Sequence, residues 1–225
     1  MTRLIPAALL ALVLLAGGGW WLLNQGADST AIPAGALDAQ ESSDAEVDTS
    51  SIVEMVQGAE DAPVTVIEYA SYTCPHCANF HENQYKDLKA DYIDTGKIKF
   101  VYREVYFDRY GLWASMIARC GGQERFFGIT DLIYKGQSDW VASGDPATIV
   151  GELRKIGRLA GLTEETLESC LQDGDKARTL VAWFEENAKA DDIKSTPSFV
   201  IDGELYTNMS YSEFKAILDE KLGDA

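Results

Sequence analysis

Two periodicities divide the chain beyond residue 50. The run A-P-V-T-V-I-E-Y-A-S-Y at residues 62–72 is rich in β-branched side chains and predicts a buried strand, with Glu68 its one charged member. A helical spacing follows: Cys77, Phe80, Tyr85 and Leu88 share one side of a helix that starts at Pro75, a residue suited to the first helical position, and ends before D-T-G-K. Residues 97–107, K-I-K-F-V-Y-R-E-V-Y-F, alternate as a second strand, giving a β-α-β unit with an expected right-handed crossover.

From Tyr110 the period becomes 3.6. Trp113, Met116, Ile117 and Cys120 predict a helix that stops at Gly121-Gly122. Further helices are expected at residues 123–134, behind the N-cap Asp145 with Pro146, and behind the N-cap Thr163, so residues 110–172 read as a helical insertion. Leu180, Val181, Phe184 and Ala188 mark another helix, and residues 196–206 supply two short strands around the Asp202-Gly203 turn. Ser210 and Glu213 form a capping box for a last helix with the stripe Tyr211, Phe214, Leu218 and Leu222. The pattern predicts an α/β domain over 51–225, a mixed central sheet flanked by helices with a helical domain inserted, and it contains no internal repeat.

The segment before residue 51 changes the setting. Residues 4–23 form an uncharged apolar run after Arg3, longer than the roughly 7–15 residues of a cleavable signal core and close to the roughly 20 that span a bilayer. Two readings stand: an uncleaved anchor with the domain outside the cytoplasm, which the length favours, or a cleaved signal peptide releasing a soluble periplasmic protein. Residues 24–50, small and acidic without apolar periodicity, are expected to be a flexible linker, and their lack of heptads points to a monomer. Formal net charge is −17, with no basic stripe to offset phosphate, which excludes nucleic-acid binding. Export gives the four cysteines a compartment in which disulfides persist.

The chemistry concentrates in C-P-H-C, Cys74 to Cys77, at the strand-to-helix turn. A zinc site needs four ligands, and the only two histidines, His76 and His81, crowd the same short segment as the pair. A structural staple is equally poor, because two cysteines in one helical turn constrain almost no loop. A redox pair fits the placement. A thiolate at a helix N-terminus faces unpaired N–H groups and the positive end of the helix dipole, so Cys74 should ionise easily, with His76 adding charge or a hydrogen bond. Cys77, one turn inward, should be the buried partner. No bound cofactor is required for such exchange.

Strand, C-P-H-C, helix, helical insertion and a late T-P before a strand together resemble the DsbA family of thiol:disulfide oxidoreductases over residues 51–225. The resemblance implies a thioredoxin fold, Cys74 as the attacking and Cys77 as the resolving cysteine, and a substrate-binding cis-proline loop at Thr196-Pro197. It further implies reduced or unfolded exported proteins as substrates and a membrane partner of the DsbB type as reoxidant. Family members often carry a buried acid where this chain has Glu68, able to shuttle the proton of the inner cysteine; the alternative is an acid exposed at a sheet edge. Some relatives have a second acid where this chain has His81, a departure that puts a two-acid relay in doubt and leaves His81 readable as a satisfied histidine on a helix face.

Cys120 and Cys170 each sit on an apolar helix face and could be packed separately, but four cysteines allow three connectivities and the motif claims one pair, so a structural Cys120–Cys170 disulfide is expected. Tyr72, Phe107, Tyr110 and Trp113 offer an apolar surface for unfolded chains, with core packing the ordinary fate of such residues. The functional expectation is a dithiol oxidase. Its rivals are a reductase or isomerase on the same fold, which Thr196 leaves open, and a non-catalytic metal-binding or chaperone module.

Overall fold

In the computed structural model, which describes residues 47–223, the chain enters its sheet at Met55–Gly58 (β1), a strand the alternation pattern did not reveal. Four residues at a sheet edge bury too little of either face to leave a signal of period two. Gly58 ends the strand at φ +89, where a Cβ would lie 2.3 Å from the carbonyl oxygen of Ile98, so only glycine lets the two backbones approach. The segments read as an anchor or signal and most of the 24–50 linker lie outside the described residues. Among the described residues, no helix is long and apolar enough to cross a membrane.

Val64–Ala70 (β2) follows and leads into Pro75–Asn83 (α1) and Tyr85–Leu88 (α2), then a wider π-type turn at Lys89–Ile93. The single expected helix is therefore interrupted at Gln84, whose φ of −121 leaves helical geometry. Apolar spacing does not register that break, because Tyr85 and Leu88 still face the core after it. Ile98–Glu104 (β3) then pairs parallel with β2 on one side and antiparallel with β1 on the other.

Six helices separate β3 from the next strand: Arg109–Cys120 (α3), Gly122–Lys135 (α4), Gln137–Val141 (α5), Pro146–Leu159 (α6), Glu164–Gln172 (α7) and Gly174–Ala190 (α8). The caps read from sequence are formed, Asp145 accepting from the Thr148 N–H at 2.8 Å and Thr163 from the Thr166 N–H at 3.2 Å. Ser198–Ile201 (β4), Glu204–Thr207 (β5) and Tyr211–Leu222 (α9) complete the chain, and Ser210 and Glu213 make the reciprocal capping box at α9.

The sheet order is β1-β3-β2-β4-β5, with β2 and β3 parallel and the other pairs antiparallel. β2 is thus central. One hydrophobic cluster runs from Val66, Phe100 and Phe199 on the sheet through Phe80 and Phe214 on the covering helices to Ile117, Phe126, Leu153 and Leu167 in the insertion. At about 1.5–3 kcal/mol for each fully buried large side chain, this continuity ties the insertion to the sheet through one core.

Candidate active site

Cys74 is the N-cap of α1, in extended backbone geometry (φ −84, ψ 119), with Pro75 at the first helical position. Its carbonyl takes the first helical hydrogen bond from Ala78 at 3.2 Å, while its side chain stands at the mouth of the helix. The preceding loop is held from three sides. Tyr72 turns inward and its hydroxyl pairs with Thr130 Oγ1 at 2.8 Å; Thr73 Oγ1 donates to Asp108 Oδ2 at 2.8 Å; and Gln137 Nε2 donates to the carbonyls of Tyr72 (2.8 Å) and Cys74 (2.9 Å).

The two sulfurs are free thiols in very different surroundings: Cys74 is half-buried and Cys77 is fully buried. The Cys77 thiol is the main influence lowering the pKa of Cys74 to about 5; Thr196 and the backbone N–H groups of Cys77 and His76 act in the same direction, against partial desolvation. Burial, and the charge that develops on Cys74, drive Cys77 far in the opposite direction, with the carboxylate of Glu68 adding to the rise. His76 acts through its main chain, and its side chain is exposed. Across the site the Thr196–Pro197 bond is cis, Pro197 is buried, and the Thr196 carbonyl accepts from Cys74 Sγ at 3.4 Å.

Behind Cys77 lies a buried ionisable pair. Glu68 is 0% and His81 3% exposed, and His81 Nε2 sits 3.1 and 3.2 Å from the two carboxyl oxygens. Glu68 is opposite Tyr102 on one neighbouring strand and Phe199 on the other, so the reading of it as an acid at a sheet edge is corrected: a central strand has no edge. His81 is the satisfied histidine on a helix face that the sequence allowed: its ring stacks on Tyr134 at 4.3 Å and Glu68 is its partner. Burial raises the Tyr134 and Tyr102 hydroxyls well above their ordinary pKa, and these neutral groups bond each other at 2.7 Å.

The aromatic residues expected to form a surface divide. Tyr72 belongs to the core, which corrects its place in that surface, whereas Phe107 is 61% exposed. Tyr110 and Trp113 are half-buried with ring centroids 5.5 Å apart, and the Arg109 guanidinium lies over both. Cys120 and Cys170 form a disulfide with a Cα–Cα distance of 6.0 Å, joining the ends of α3 and α7 away from the C-P-H-C turn. Among the described residues, no cluster of three or more His, Cys, Asp or Glu side chains is placed to hold a metal ion.

Sequence reasoning missed three contributors. Asp108 could have been found, since an aspartate before an apolar helical run is an N-cap signal, and it accepts from the N–H groups of Tyr110 and Gly111 at 2.8 and 3.0 Å. Gln137 and the buried Glu104–Arg119 pair, 2.6 Å apart, carry no local pattern.

Residues 50–220 match a family model described as thioredoxin. The chain belongs to the thioredoxin family. Within it the protein is DsbA-like. It is 37% identical over 173 residues to a Rickettsia bellii protein named as a candidate protein-disulfide oxidoreductase, covering 76% of this chain and 66% of that relative. It is also 28% identical to disulfide bond formation protein D of Bacillus subtilis, covering 74% of this chain and 76% of the other. The chain thus spans just under two thirds of the length of the Rickettsia relative. Among solved structures, alpha-DsbA1 of Wolbachia pipientis superposes with a TM-score of 0.70 at 26% identity, over 76% of this thioredoxin-family chain and 91% of the other.

Proposed function

We propose that this protein is a thiol:disulfide oxidase that donates a Cys74–Cys77 disulfide to reduced, exported polypeptides. The observation that carries the reading is the asymmetry of two sulfurs within one helical turn: a half-exposed Cys74 with a pKa of about 5 beside a buried Cys77 whose ionisation is strongly opposed. In the oxidised protein a substrate thiolate attacks Cys74 Sγ, the bond to Cys77 breaks, and Cys77 leaves with the electron pair and takes up a proton. Glu68, paired with His81, is the buried group suited to deliver that proton. A second substrate thiolate then attacks the substrate sulfur of the mixed disulfide and expels Cys74 as a stabilised thiolate. Substrate loses two electrons and gains a disulfide; the C-P-H-C pair is left reduced.

A thiolate that leaves this easily makes the disulfide the less favoured state, which supports oxidation of clients as the net direction. The names of the Rickettsia and Bacillus relatives support disulfide chemistry. Regeneration falls to a membrane quinone-linked partner of the DsbB type. The apolar run at residues 4–23 tethers the domain on the outer side of the membrane. Detection of a mature N-terminus near residue 27 or 37 would remove the tether.

The test is incubation of the pre-oxidised protein with a reduced, unfolded model protein and, separately, with one carrying scrambled disulfides. Rapid loss of substrate thiols in the first is the expected result; activity confined to the second would make the protein an isomerase.

A further inference from the structure

We propose that Gln137, at the start of α5 in the helical insertion, is a positioning residue for Cys74, holding the carbonyls on either side of Thr73 so that the reactive sulfur meets the N–H groups of α1. The proposal rests on the assignment of Cys74 as the attacking cysteine and adds a residue to that machinery from outside the sheet.

The geometry is specific to an amide. Gln137 is buried, 7% exposed, and its Nε2 bonds the carbonyls of Tyr72 at 2.8 Å and Cys74 at 2.9 Å. One planar NH2 group carries two N–H donors, and both are used. Among the described residues no backbone N–H outside the regular elements reaches the Tyr72 carbonyl, so Gln137 is what satisfies it. The Cys74 carbonyl matters more. It belongs to the Cys74–Pro75 peptide unit, and proline has no N–H, so that unit can be held by hydrogen bonds only through its oxygen. Ala78 and Gln137 both donate to that oxygen, which has two lone pairs to accept them.

Fixing this peptide fixes ψ of Cys74 at 119°, and with it the direction in which Sγ faces the amides of His76 and Cys77. Freed from Gln137, the unit could rock about the first helical bond and the sulfur would lose part of the N–H field that favours its charge. The donated hydrogens also oppose the negative potential of a carbonyl adjacent to a developing thiolate. The insertion therefore contributes to the reactivity of the pair as well as to the core.

A purely structural glutamine would affect stability and nothing else, so the experiment reads the sulfur. Thiolate absorbance at 240 nm is titrated in the reduced protein, and the redox equilibrium with glutathione is measured, for the unmodified chain, Q137M, Q137K and the insertion-core control L153A. Q137M keeps the volume and removes both donors; the midpoint of Cys74 should rise by about one unit and the disulfide form gain about tenfold at equilibrium. Q137K restores donors and should return the midpoint to its original value or below it. L153A should lose stability with the midpoint unmoved. If Q137M does not fold, Q137E replaces it, presenting an acceptor in place of the donors, and the midpoint should rise at least as far. An unshifted midpoint in Q137M or Q137E, a Q137K that behaves like Q137M, or an L153A that shifts equally would overturn the role of Gln137. An ordinary thiol midpoint in the unmodified protein would instead undo the oxidase reading.

Discussion

The two cysteine pairs stand at opposite ends of helices. Cys74 precedes the first turn of α1, whereas Cys120 is the last residue of α3 and Cys170 lies in the last turn of α7. Cys74 and Cys120 even share a feature, each sulfur lying 3.4 Å from a backbone carbonyl, of Thr196 and Thr166 respectively. What separates them is first the Cys77 thiol beside Cys74, the main influence lowering its pKa, and then the supply of N–H groups. A helix start offers unpaired donors and the positive end of a dipole; a helix end offers carbonyls and the negative end, where a thiolate gains nothing. Reactivity therefore follows from the neighbouring thiol and from where the sulfur meets the backbone, rather than from the cysteine alone. Loop length divides the pairs further, since the insertion bridge closes 50 residues and the C-P-H-C pair closes almost none.

The largest effect that tests this contrast comes from removing Cys74. C74S should abolish oxidation of a reduced model protein, measured by loss of substrate thiols. C77S, presented instead with a model protein that already carries a disulfide, should accumulate mixed disulfides visible on non-reducing gels: the Cys74 thiolate attacks the substrate disulfide, one substrate thiol leaves, and no second protein sulfur is present to release the adduct. A C77S protein that forms no adducts would break the assignment of roles. The double substitution C120A/C170A should have the complementary outcome, costing about 4 kcal/mol in denaturant unfolding by the loop-entropy argument while leaving the Cys74 midpoint near 5. A moved midpoint would mean that the pairs are coupled.

Acidity of Cys74 also sets a pH dependence of the stability difference between reduced and oxidised protein. Its folded pKa lies below the unfolded value, so ionisation stabilises the reduced fold; the contribution is complete above the unfolded pKa and lost as pH falls through about 5. A fall from 9.0 to about 5 corresponds to about 5 kcal/mol, but the sulfur is half-exposed, and solvent screening leaves roughly 2–3 kcal/mol. The disulfide form has no such titration. Unfolding curves of the two forms between pH 4 and pH 9, on the order of five units, should diverge with rising pH; parallel curves would contradict the lowered pKa.

A second pair of sites sharpens the first. Glu68 and Glu104 are both buried carboxylates on the parallel strands β2 and β3, yet Glu104 is clamped by Arg119 through two hydrogen bonds at 2.6 Å, with Ser115 at 2.9 Å, while among the described residues the hydrogen-bond partner of the Glu68 side chain is a histidine. An arginine never gives up its proton, which suits Glu104 to a structural part, whereas histidine as a residue type can exchange one, which suits the Glu68 pair to the proposed proton transfer. E68Q should slow reoxidation and client oxidation about a hundredfold, the low end of general acid–base effects, with a flattened pH profile. An unchanged profile would return Glu68 to a packing role.

How much of this could be read from the sequence depends on whether the signal was local. The β-branched run around Val66, the C-P-H-C turn and the capping box at Ser210 announce themselves because each is complete within a few residues. The Glu68–His81 pair bridges 13 positions and the Gln137–Cys74 bond 63, so neither leaves a periodicity to detect. β1 was missed because an edge strand of four residues needs its partner to exist at all. His81 is satisfied, in keeping with the expectation of a satisfied histidine on a helix face, but its partner on the strand beneath, Glu68, was beyond the reach of any local pattern.

The smallest expected effect concerns the element that connects the two cysteine sites. α3 begins at Asp108, which caps the helix with one carboxyl oxygen and accepts from Thr73 with the other, and it ends at Cys120 in the disulfide. D108A removes a cap, worth about 1 kcal/mol, and frees Thr73, the residue before the reactive sulfur. Since Gln137 still holds the carbonyls on both sides of Thr73, the Cys74 midpoint should move by no more than about 0.3 units, well under the tenfold change that one full unit represents. D108N keeps the oxygen that caps Tyr110 and Gly111 but replaces the one that accepts from Thr73 with an NH2 donor, so it should recover the cap's share of the stability and leave Thr73 without its acceptor. If D108A instead shifted the midpoint as far as loss of the Gln137 donors, control of Cys74 would lie in α3, and the separation between its reactive and its structural end would disappear.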